Sequence, residues 1–568
     1  MLNVKFKDGR VLIEGSGIIF LKAKSEFSRF NPDSTKVQIV SKNCFSVDVA
    51  SYSYVRNNNP SWFTESDNEF SQISNSLNLI NAHFSARELV ANIVEQGLSK
   101  TGVIHWDGLL DEHQGIAANA MAVKGLSGLC LFDEQGTGKT ISALAAFDLL
   151  RINNVVDVAV IVAPKTLLTN WQDECIKFLP EPNIVSLIEG TKNSKYTKIN
   201  SKADLYLLTY ETLSSELILF NTIANSKRVL LIVDESFFVK NPDSNRSRAL
   251  KAYRPKCSRA LILCGTPAPN SPVDLIHQFD LSDNGLTFGD SSIPDNPIAV
   301  HNFVHNKIST KGVYIRRTKS DVLPDLAAKK FHVINVAMQP IQAALYDEAR
   351  TELSLFLKTL DNRSFKRSLA TYFQKRSAML QICTSPKLID SLITEVSAKY
   401  LALDDFLHNH INILGKKVVL WSVYTRSIDE LFERYAQFNP VRIDGKVPDI
   451  NTRQEMVRKF QSDPSTKLFI GNPAAAGAGI TLHSASIAIY LSFSNQAAHY
   501  MQSLDRIHRR GQMSDEVDYY FIICDNTIES FELKRLSSKQ ATQSELLGDI
   551  EDSIFSLEDA LNEIGEAI

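Results

Sequence analysis

The most informative residues for the fold of this chain are Asp133-Glu134-Gln135-Gly136-Thr137-Gly138-Lys139-Thr140. An apolar run, Leu129–Phe132, precedes it, and apolar residues at helical spacing follow it from Ile141 to Leu149. This context predicts a strand, a glycine-containing turn and a helix. A turn of this kind points backbone N–H groups and a helix N-terminus at one position, which suits a phosphate group.

The side chains of the turn predict a nucleotide site with a metal ion. Lys139 is expected to reach the β- and γ-phosphates, and the Thr140 hydroxyl is expected to bind Mg²⁺. The strict phosphate-loop pattern has glycine where this chain has Asp133, so an ordinary turn is the alternative. The residues predicted to bind the nucleotide here are Gly136, Thr137, Gly138, Lys139 and Thr140.

Length and composition limit the class of protein. At 568 residues the chain is too long for one ordinary core and predicts three or four folding units. A formal net charge of −3 does not indicate nucleic-acid binding, so any DNA-binding surface must be a local basic patch. The seven cysteines form no CxxC pair, which fits reduced thiols in a cytoplasmic compartment and argues against a zinc module. The chain shows no signal peptide and no stretch of membrane-spanning length, so no membrane contact is expected.

Residues 1–85 form a predicted β-rich accessory module. Val4–Lys7 and Arg10–Ile13 flank Asp8-Gly9, which is a strong signal for a two-residue hairpin. Other runs with strand character are Gly17–Leu21, Val37–Val40 and Phe45–Val49. The Ser- and Asn-rich region that ends at Asn78 is predicted to be a loop. Such a module either packs on the core or binds a substrate or partner, and the sequence does not decide between the two.

From about residue 86 the pattern changes to alternating helices and apolar strands, as expected for a parallel sheet. The apolar strand Arg228–Val233 ends in Asp234 and Glu235, a costly pair of acids unless they meet a cation or do chemistry. In a nucleotide site Asp234 would hold Mg²⁺, and Glu235 would orient and deprotonate the attacking water. The alternative is a strand-end pair that faces solvent. Gln114, near the start of an Ala-rich helix, would read an adenine edge with its amide or else face solvent.

These sequence motifs, together with those named below, resemble the Snf2-type branch of the superfamily 2 helicase-like ATPases. In the first half the resemblance rests on Asp133–Thr140, Ala163–Trp171, Thr209–Leu213, Asp234–Asn241, Gly265–Asn270 and Tyr314–Leu323. In the second half it rests on Gly415–Ser422, Arg442–Lys446, Arg453–Phe460, Gly477–Leu482 and Gln502–Gln512. Proteins of this branch commonly have Asp at the position of Asp133. The sequences of residues 234–241 and 265–270 resemble those of small phage or bacterial members and of the annealing-helicase-like subgroup.

The resemblance implies an α/β fold of two tandem RecA-like parallel-sheet lobes with helical insertions, beside the β-rich N-terminal module. Lobe 1 is expected at 86–325 and lobe 2 at 326–545, with a helical protrusion at about 340–400. ATP and Mg²⁺ are the implied cofactors, and Gly479 is implied as a further nucleotide contact. Residues 546–568 have the acids and the apolar stripe of an amphipathic helix, which either packs on the body or binds a partner.

A second set of candidate catalytic residues lies near the end of the resemblance. Gln502, Arg506 and Arg509 fall at i, i+4 and i+7, and hence on one face if the segment is a helix. Two guanidiniums on one face would span a γ-phosphate and stabilise charge in the transition state, as arginine fingers do. A basic, solvated helix is the alternative. The predicted catalytic residues are Lys139, Asp234, Glu235, Gln502, Arg506 and Arg509.

Three positions depart from the family pattern. Phe237 stands where many relatives have His, Ala474 where the family usually has Arg, and Ala476 where it often has Gly. In the family the His is thought to couple the nucleotide site to the nucleic-acid site. The departure at Phe237 therefore concerns the coupling between the nucleotide site and the nucleic-acid site, and those at Ala474 and Ala476 concern DNA contacts in the second lobe.

The resemblance implies an ATP-dependent double-stranded-DNA translocase that serves DNA repair, recombination or replication, for example in branch migration or annealing. Its DNA binding is expected to be largely independent of sequence, because backbone and hydroxyl groups would read phosphates. A strand-separating DNA or RNA helicase and a catalytically uncoupled nucleic-acid-binding regulator are the alternatives. The DNA contacts that the resemblance implies are Lys165, Thr209, Tyr210, Thr266 and Thr425.

A segment with interleaved basic and aromatic residues lies between the two lobes, and it either lies over DNA or forms a solvated face. Its members are Lys358, Arg363, Lys366, Arg367, Tyr372, Phe373, Lys375 and Arg376. The expected partners are double-stranded or branched DNA, and a protein partner that binds the N-terminal module or the acidic C-terminal helix. The expected location is the cytoplasm of a bacterial or phage-infected cell, or the nucleus of a eukaryotic one.

Overall fold

The computed structural model describes residues 1–536 apart from 8, 31–36, 181–182, 266, 269–271, 290, 295, 324–325, 448, 476–479, 494–496 and 535. The chain divides into two compact units. Unit 1 comprises residues 1–133, 138–267 and 271–316, and unit 2 comprises residues 134–137, 268–270 and 317–568. The acidic helix predicted at 546–568 lies outside the described residues.

The N-terminal part of unit 1 is a five-stranded sheet packed with helices. Its strands are β1 (Leu2–Lys7), β2 (Arg10–Glu14), β3 (Gln38–Ser41), β4 (Cys44–Asp48) and β5 (Phe63–Thr64), in the order β3-β4-β2-β1-β5. Its helices are α1 (Gly17–Phe30), α2 (Val49–Asn58) and α3 (Asp67–Glu95). The predicted hairpin is confirmed, because β1 and β2 pair antiparallel.

Two local predictions in this region are wrong. Residues 17–21 begin helix α1 rather than a strand, because Phe20, Ala23 and Phe27 recur at helical spacing and are buried. The region that precedes Asn78 belongs largely to helix α3, whose first turn is stabilised by a capping box between Ser66 and Glu69. Composition alone misses this cap, since Ser and Asn are common in loops as well as at helix starts.

The rest of unit 1 is built on a seven-stranded sheet in which every pair of neighbouring strands is parallel. Its strands are β6 (Gly128–Leu131), β7 (Val158–Val162), β8 (Val185–Leu187), β9 (Leu205–Leu208), β10 (Val229–Asp234), β11 (Arg259–Leu263) and β12 (Tyr314–Ile315). Their order is β12-β6-β11-β10-β7-β9-β8. Because β11 lies between β6 and β10, the loops that follow these three strands lie side by side at the carboxyl edge of the sheet.

Helices connect these strands, as the alternating pattern predicts. They are α4 (Glu112–Ala122), α5 (Lys139–Ile152), α6 (Leu168–Phe178), α7 (Lys192–Asn200), α8 (Tyr210–Ser215), α9 (Leu217–Ser226), α10 (Asn245–Tyr253), α11 (Val273–Asp283), α12 (Pro297–Lys311) and, in unit 2, α13 (Lys319–Val322). Strand β7 and residues 229–233 of β10 are apolar and buried, as expected for a parallel sheet covered on both faces.

Unit 2 is built on a six-stranded sheet whose neighbouring strands are also parallel. Its strands are β13 (Ala328–Val336), β14 (Val418–Trp421), β15 (Val441–Ile443), β16 (Leu468–Gly471), β17 (Ile487–Tyr490) and β18 (Glu516–Cys524), in the order β13-β18-β17-β14-β16-β15. Its further helices are α14 (Pro340–Lys358), α15 (Asn362–Arg367), α16 (Leu369–Thr384), α17 (Ala398–Leu407), α18 (Thr425–Arg434), α19 (Ile450–Ser462) and α20 (Ala497–Leu504).

The predicted fold class is confirmed, because two parallel sheets with connecting helices accompany a small N-terminal sheet. The domain boundaries inferred from the sequence stay a prediction. All seven cysteines are buried free thiols. Among the described helices, none combines the length and the apolar character needed to cross a membrane.

Candidate functional site

The phosphate loop has the strand–turn–helix geometry that its sequence predicts. It follows β6, and helix α5 begins at Lys139. Gly136 and Gly138 have φ angles of 87° and 88°, a region that residues with a side chain rarely adopt. A Cβ on Gly138 would lie 2.2 Å from the Gln114 amide nitrogen, so the glycine also leaves room for that side chain.

Two polar side chains of the loop, Lys139 and Thr137, donate to the loop's own backbone. The Lys139 ammonium donates to the Asp133 carbonyl at 2.7 Å, and the Thr137 hydroxyl donates to the Glu134 carbonyl at 2.9 Å. Thr140, the second residue of α5, is half-buried. Lys139 therefore lies over the turn, where an incoming phosphate would compete for its protons.

Gln114 is buried against this loop rather than exposed to solvent. Its amide oxygen accepts a hydrogen bond from the Asp111 backbone N–H at 3.0 Å, closing a capping box at the start of α4. Its amide nitrogen faces Gly138. The structure thus brings Gln114 to the predicted nucleotide site, and its contact with adenine stays a prediction.

The two acids predicted for catalysis lie at the end of β10. One Asp234 carboxylate oxygen accepts from the Trp171 indole N–H at 2.8 Å, and the other accepts from the Glu235 backbone N–H at 2.8 Å. Burial raises the pKa of Asp234, while the Trp171 hydrogen bond and the positive charge of Lys139 act in the opposite direction. The loop lysine and the acid lie at the same edge of the sheet, because only β11 separates the strands β6 and β10 that they follow.

Glu235 is also buried, and its backbone is in the left-handed region with φ 52° and ψ 53°. A non-glycine residue holds such a conformation only where its surroundings enforce it. Tyr210 is one source of that enforcement: its hydroxyl donates to the carbonyls of Asp234 at 2.5 Å and Glu235 at 3.4 Å. Sequence reasoning did not identify this contact, because the two segments are separate motifs.

The structure therefore argues against the DNA contact predicted for Tyr210. The side chain is 2% exposed, and its hydroxyl already has backbone partners. Of the other predicted DNA contacts in unit 1, Lys165 is exposed, and Thr209 caps helix α8 by accepting from the Thr212 N–H at 3.1 Å. Thr266 lies outside the described residues.

The predicted arginines lie in unit 2 together with residues 134–137 of the phosphate loop. Arg506 is buried and donates to the Gln135 side-chain oxygen at 3.2 Å and to the Ile480 carbonyl at 3.1 Å. Arg509 donates to the Thr481 hydroxyl at 3.0 Å. A Cβ on Gly136 would lie 3.8 Å from Arg509 Cγ, so this arginine also lies beside the loop.

The helical face predicted for these residues is wrong. Helix α20 ends at Leu504, so it contains Gln502 but neither arginine. The chain leaves the helix because a tertiary hydrogen bond competes: the Arg506 carbonyl accepts from the distant Leu482 N–H at 2.8 Å. Gln502 is buried, and its amide nitrogen has no hydrogen-bond partner among the described residues.

A buried ion pair that sequence reasoning missed holds the arginine segment in place. The Lys319 ammonium lies 2.6 Å from the Asp505 carboxylate and donates to the His508 carbonyl at 2.9 Å. Burial lowers the pKa of Lys319 to about 8. Although burial alone would raise it, the charges of Lys319 and Lys329 hold the pKa of Asp505 well below its usual range. Both partners lie in quoted motifs, but nothing local in the sequence pairs them.

The other residues of unit 2 that were predicted to contact nucleotide or DNA are Thr425, Gly479 and the basic and aromatic segment. Thr425 is the first residue of α18 and is half-buried. Gly479 lies outside the described residues. In the basic and aromatic segment, Tyr372 is buried and Arg376 forms a buried ion pair with Glu532, which argues against a DNA contact for these two.

Two family models match the chain. The model described as "SNF2-related domain" matches residues 62–388, and the model described as "Helicase conserved C-terminal domain" matches residues 398–511. The chain belongs to the Snf2 family. This membership places it among the helicase-type ATPases, which use ATP.

Curated relatives agree with this assignment. The yeast "DNA repair and recombination protein RAD54" (Saccharomyces cerevisiae) is 28% identical over 492 residues, covering 74% of this chain and 53% of the relative. The human "DNA annealing helicase and endonuclease ZRANB3" is 27% identical over 447 residues, covering 74% of this chain and 39% of the relative. The chain therefore spans about half of these relatives or less. A solved "Sulfolobus solfataricus SWI2/SNF2 ATPase core in complex with dsDNA" is 22% identical, with coverage of 81% of this chain and 97% of that chain and a TM-score of 0.35.

Within the Snf2 family, Phe237 is the departure that lies nearest to the acids. Its ring is buried and stacks on Phe238 with centroids 4.4 Å apart and planes inclined by 29°. Phe238 in turn packs on the Tyr210 ring at 6.2 Å. An apolar stack thus fills the position where the resemblance leads us to expect His, and its rings offer no hydrogen bond toward neighbouring loops.

The donor set of the site fits a Mg²⁺–ATP complex. Each Asp234 carboxylate oxygen accepts one hydrogen bond and keeps a further lone pair, and oxygen donors of this kind suit Mg²⁺. Thr140 supplies a hydroxyl beside the loop. The glycines with positive φ present backbone N–H groups that suit phosphate oxygens.

Proposed function

We propose that the chain is an ATP-dependent double-stranded-DNA translocase of Snf2 type, which moves on or remodels DNA in repair, recombination or fork processing. The observation that carries the proposal is that the phosphate loop with Lys139 follows β6 and the buried acids Asp234 and Glu235 end β10, two strands that only β11 separates in one parallel sheet. The named activities of the yeast and human relatives, DNA repair, recombination and annealing, support DNA as the substrate.

In the proposed reaction each residue has a defined task. Lys139 leaves the Asp133 carbonyl and binds the β- and γ-phosphates, and the N–H groups of the loop orient them. Glu235 orients the attacking water and takes its proton. Thr140 and Asp234 would hold Mg²⁺, which when bound neutralises charge on the phosphate oxygens.

Arg506 and Arg509 are proposed to stabilise charge that develops on the γ-phosphate. Their contacts with Gln135 and beside Gly136 support this role, since both neighbours belong to the phosphate loop. Gln502 is proposed to assist from α20, where its buried amide nitrogen has no partner among the described residues.

The remaining calls from the sequence also stay proposals. Gln114 and Gly479 are proposed to contact the nucleotide, and Lys165, Thr209, Thr266 and Thr425 to contact DNA. The domain boundaries, the location in the cell and a protein partner for the N-terminal module or the 546–568 segment belong with them.

The test is an ATPase assay of the full chain with no nucleic acid, single-stranded DNA, duplex DNA, forked DNA and RNA. Lys139→Ala serves as the blank. Stimulation by duplex or forked DNA is expected, and its absence would refute the proposal. Equal stimulation by RNA would favour a strand-separating helicase, which a plain-duplex unwinding assay distinguishes from a translocase that displaces a triplex strand.

A second candidate function is favoured by one observation, the apolar stack of Phe237. If Phe237, in place of the His expected from the family, uncouples ATP hydrolysis from DNA binding, the chain is a nucleic-acid-binding regulator that hydrolyses ATP without responding to DNA. The same assay decides: DNA binding together with an ATPase rate that DNA leaves unchanged would support this second function.

A further inference from the structure

The strained turn at Glu235 is held on both sides. On its N-terminal side the Tyr210 hydroxyl binds the carbonyls of Asp234 and Glu235. On its C-terminal side the Ser236 hydroxyl donates to the side-chain oxygen of Gln278 at 2.5 Å. Ser236 and Gln278 are both fully buried. The orientation of the proposed general base therefore depends on Gln278, which lies 42 positions beyond Ser236 in the chain.

Gln278 lies on helix α11 and also binds a different loop. Its amide nitrogen donates to the Pro267 carbonyl at 2.5 Å and to the Asp274 carbonyl at 2.7 Å. Pro267 lies in the loop that follows β11, the strand between β6 and β10. One carboxamide thus joins the turn after β10 to the loop after β11.

Only a carboxamide meets these demands. The oxygen accepts one hydrogen bond, and the two N–H groups serve two carbonyls, so the donors of the amide are fully used. An apolar residue of the same size would leave the Ser236 hydroxyl and the Pro267 carbonyl without this partner in a buried place. The three hydrogen bonds therefore indicate that Gln278 does more than fill space at this position.

We propose that Gln278 is a positioning residue of the ATPase reaction, which orients Glu235 through Ser236 and joins its turn to the loop at Pro267. This link offers a polar connection between the two loops beside the apolar Phe237. The part of the proposal that concerns DNA rests on the proposed function, under which the loop after β11 contacts DNA through Thr266. The part that concerns Glu235 requires only that the chain hydrolyses ATP.

The test compares three variants of the full chain with a matched control. Gln278→Met removes all three side-chain bonds of Gln278 at similar volume, and Ser236→Ala removes only the bond between Ser236 and Gln278. The double variant combines the two changes. The control is Gln342→Met. Gln342 is another fully buried glutamine on a helix, and its amide donates to the Ile382 and Cys383 carbonyls at 2.8 and 3.1 Å and accepts from the Ala398 N–H at 3.1 Å.

Loss of the link is expected to lower kcat about tenfold, because the general base is no longer held in one orientation. KM for ATP should stay within about twofold, since the phosphate loop is unchanged. The double variant should be no slower than Gln278→Met, because both changes break one chain of bonds. Stimulation by duplex DNA should fall in all three variants. Gln342→Met should lose thermal stability but keep kcat and stimulation.

The proposal is overturned if Gln278→Met keeps kcat within about twofold of the wild type, or if Gln342→Met lowers kcat equally. A double variant whose kcat falls by the product of the two single-variant factors would also contradict a shared link. A wild type that hydrolyses ATP without responding to DNA would refute the translocase, and the kcat comparison would still decide the role of Gln278. A wild type with no ATPase activity would overturn both.

Discussion

The buried pair of Lys319 and Asp505 gives the most direct test of how unit 2 holds its arginines. In Lys319→Met the Asp505 carboxylate would stay buried without the ammonium that lies 2.6 Å away. Removal of one partner from a buried ion pair typically costs about 3–5 kcal/mol, because an uncompensated charge remains. Lys329, 3.5 Å from the same carboxylate, offsets part of that loss, so the lower end of the range, about 3 kcal/mol, is expected.

The measurement is differential scanning calorimetry of the full chain together with its ATPase rate. For a unit of this size, about 3 kcal/mol corresponds to a midpoint lowered by roughly 6–12 °C. The ATPase rate should fall as well, because Asp505 directly precedes Arg506. The matched control is Lys330→Met, which removes the Lys330–Glu516 pair on the surface of the same unit.

Because both partners of that control pair are about half exposed, Lys330→Met should change the midpoint and the ATPase rate little. The reasoning would be refuted if Lys319→Met were no more destabilising than Lys330→Met. It would also be refuted if Lys319→Met unfolded at the lower temperature but hydrolysed ATP at the wild-type rate.

Three further predictions concern unit 1. Trp171→Phe removes the hydrogen bond to Asp234, which should raise the pKa of that carboxyl further and move the acidic limb of the kcat–pH profile to higher pH; an unchanged limb would contradict this role of the indole. Burial raises the pKa of Asp283 to about 6 in the folded chain, so the stability contributed by its protonated form is full at low pH and is lost as pH rises through about 6. In chemical denaturation, the free energy of unfolding of Asp283→Asn should therefore fall less between pH 4.5 and 7.5 than that of the wild type. Gly138→Ala forces a side chain onto a φ of 88° and against Gln114, so nucleotide affinity measured by titration should fall about tenfold or more, and wild-type affinity would show that the loop tolerates the change.

Local patterns were sufficient for the parts of the site that are contiguous in sequence. The strand, turn and helix around residues 129–149 follow from one apolar run, two glycines and a helical period, and the structure confirms them. The acids at the end of β10 follow from their place after an apolar strand. The error at the arginines has a different origin: their spacing permits a helical face, but the chain leaves α20 at Leu504 to bond with Leu482.

Residue patterns within a few positions predicted the phosphate loop, the parallel sheet around it and the acids that follow an apolar strand, whereas the second parallel sheet was implied by the resemblance to the Snf2 family. Only the tertiary structure decided which distant side chains hold them. Trp171 meets Asp234 across 63 positions, and Lys319 meets Asp505 across 186. Parallel strands need long crossovers between neighbours, so Trp171 and Asp234, which belong to the segments of the neighbouring strands β7 and β10, are far apart in the chain.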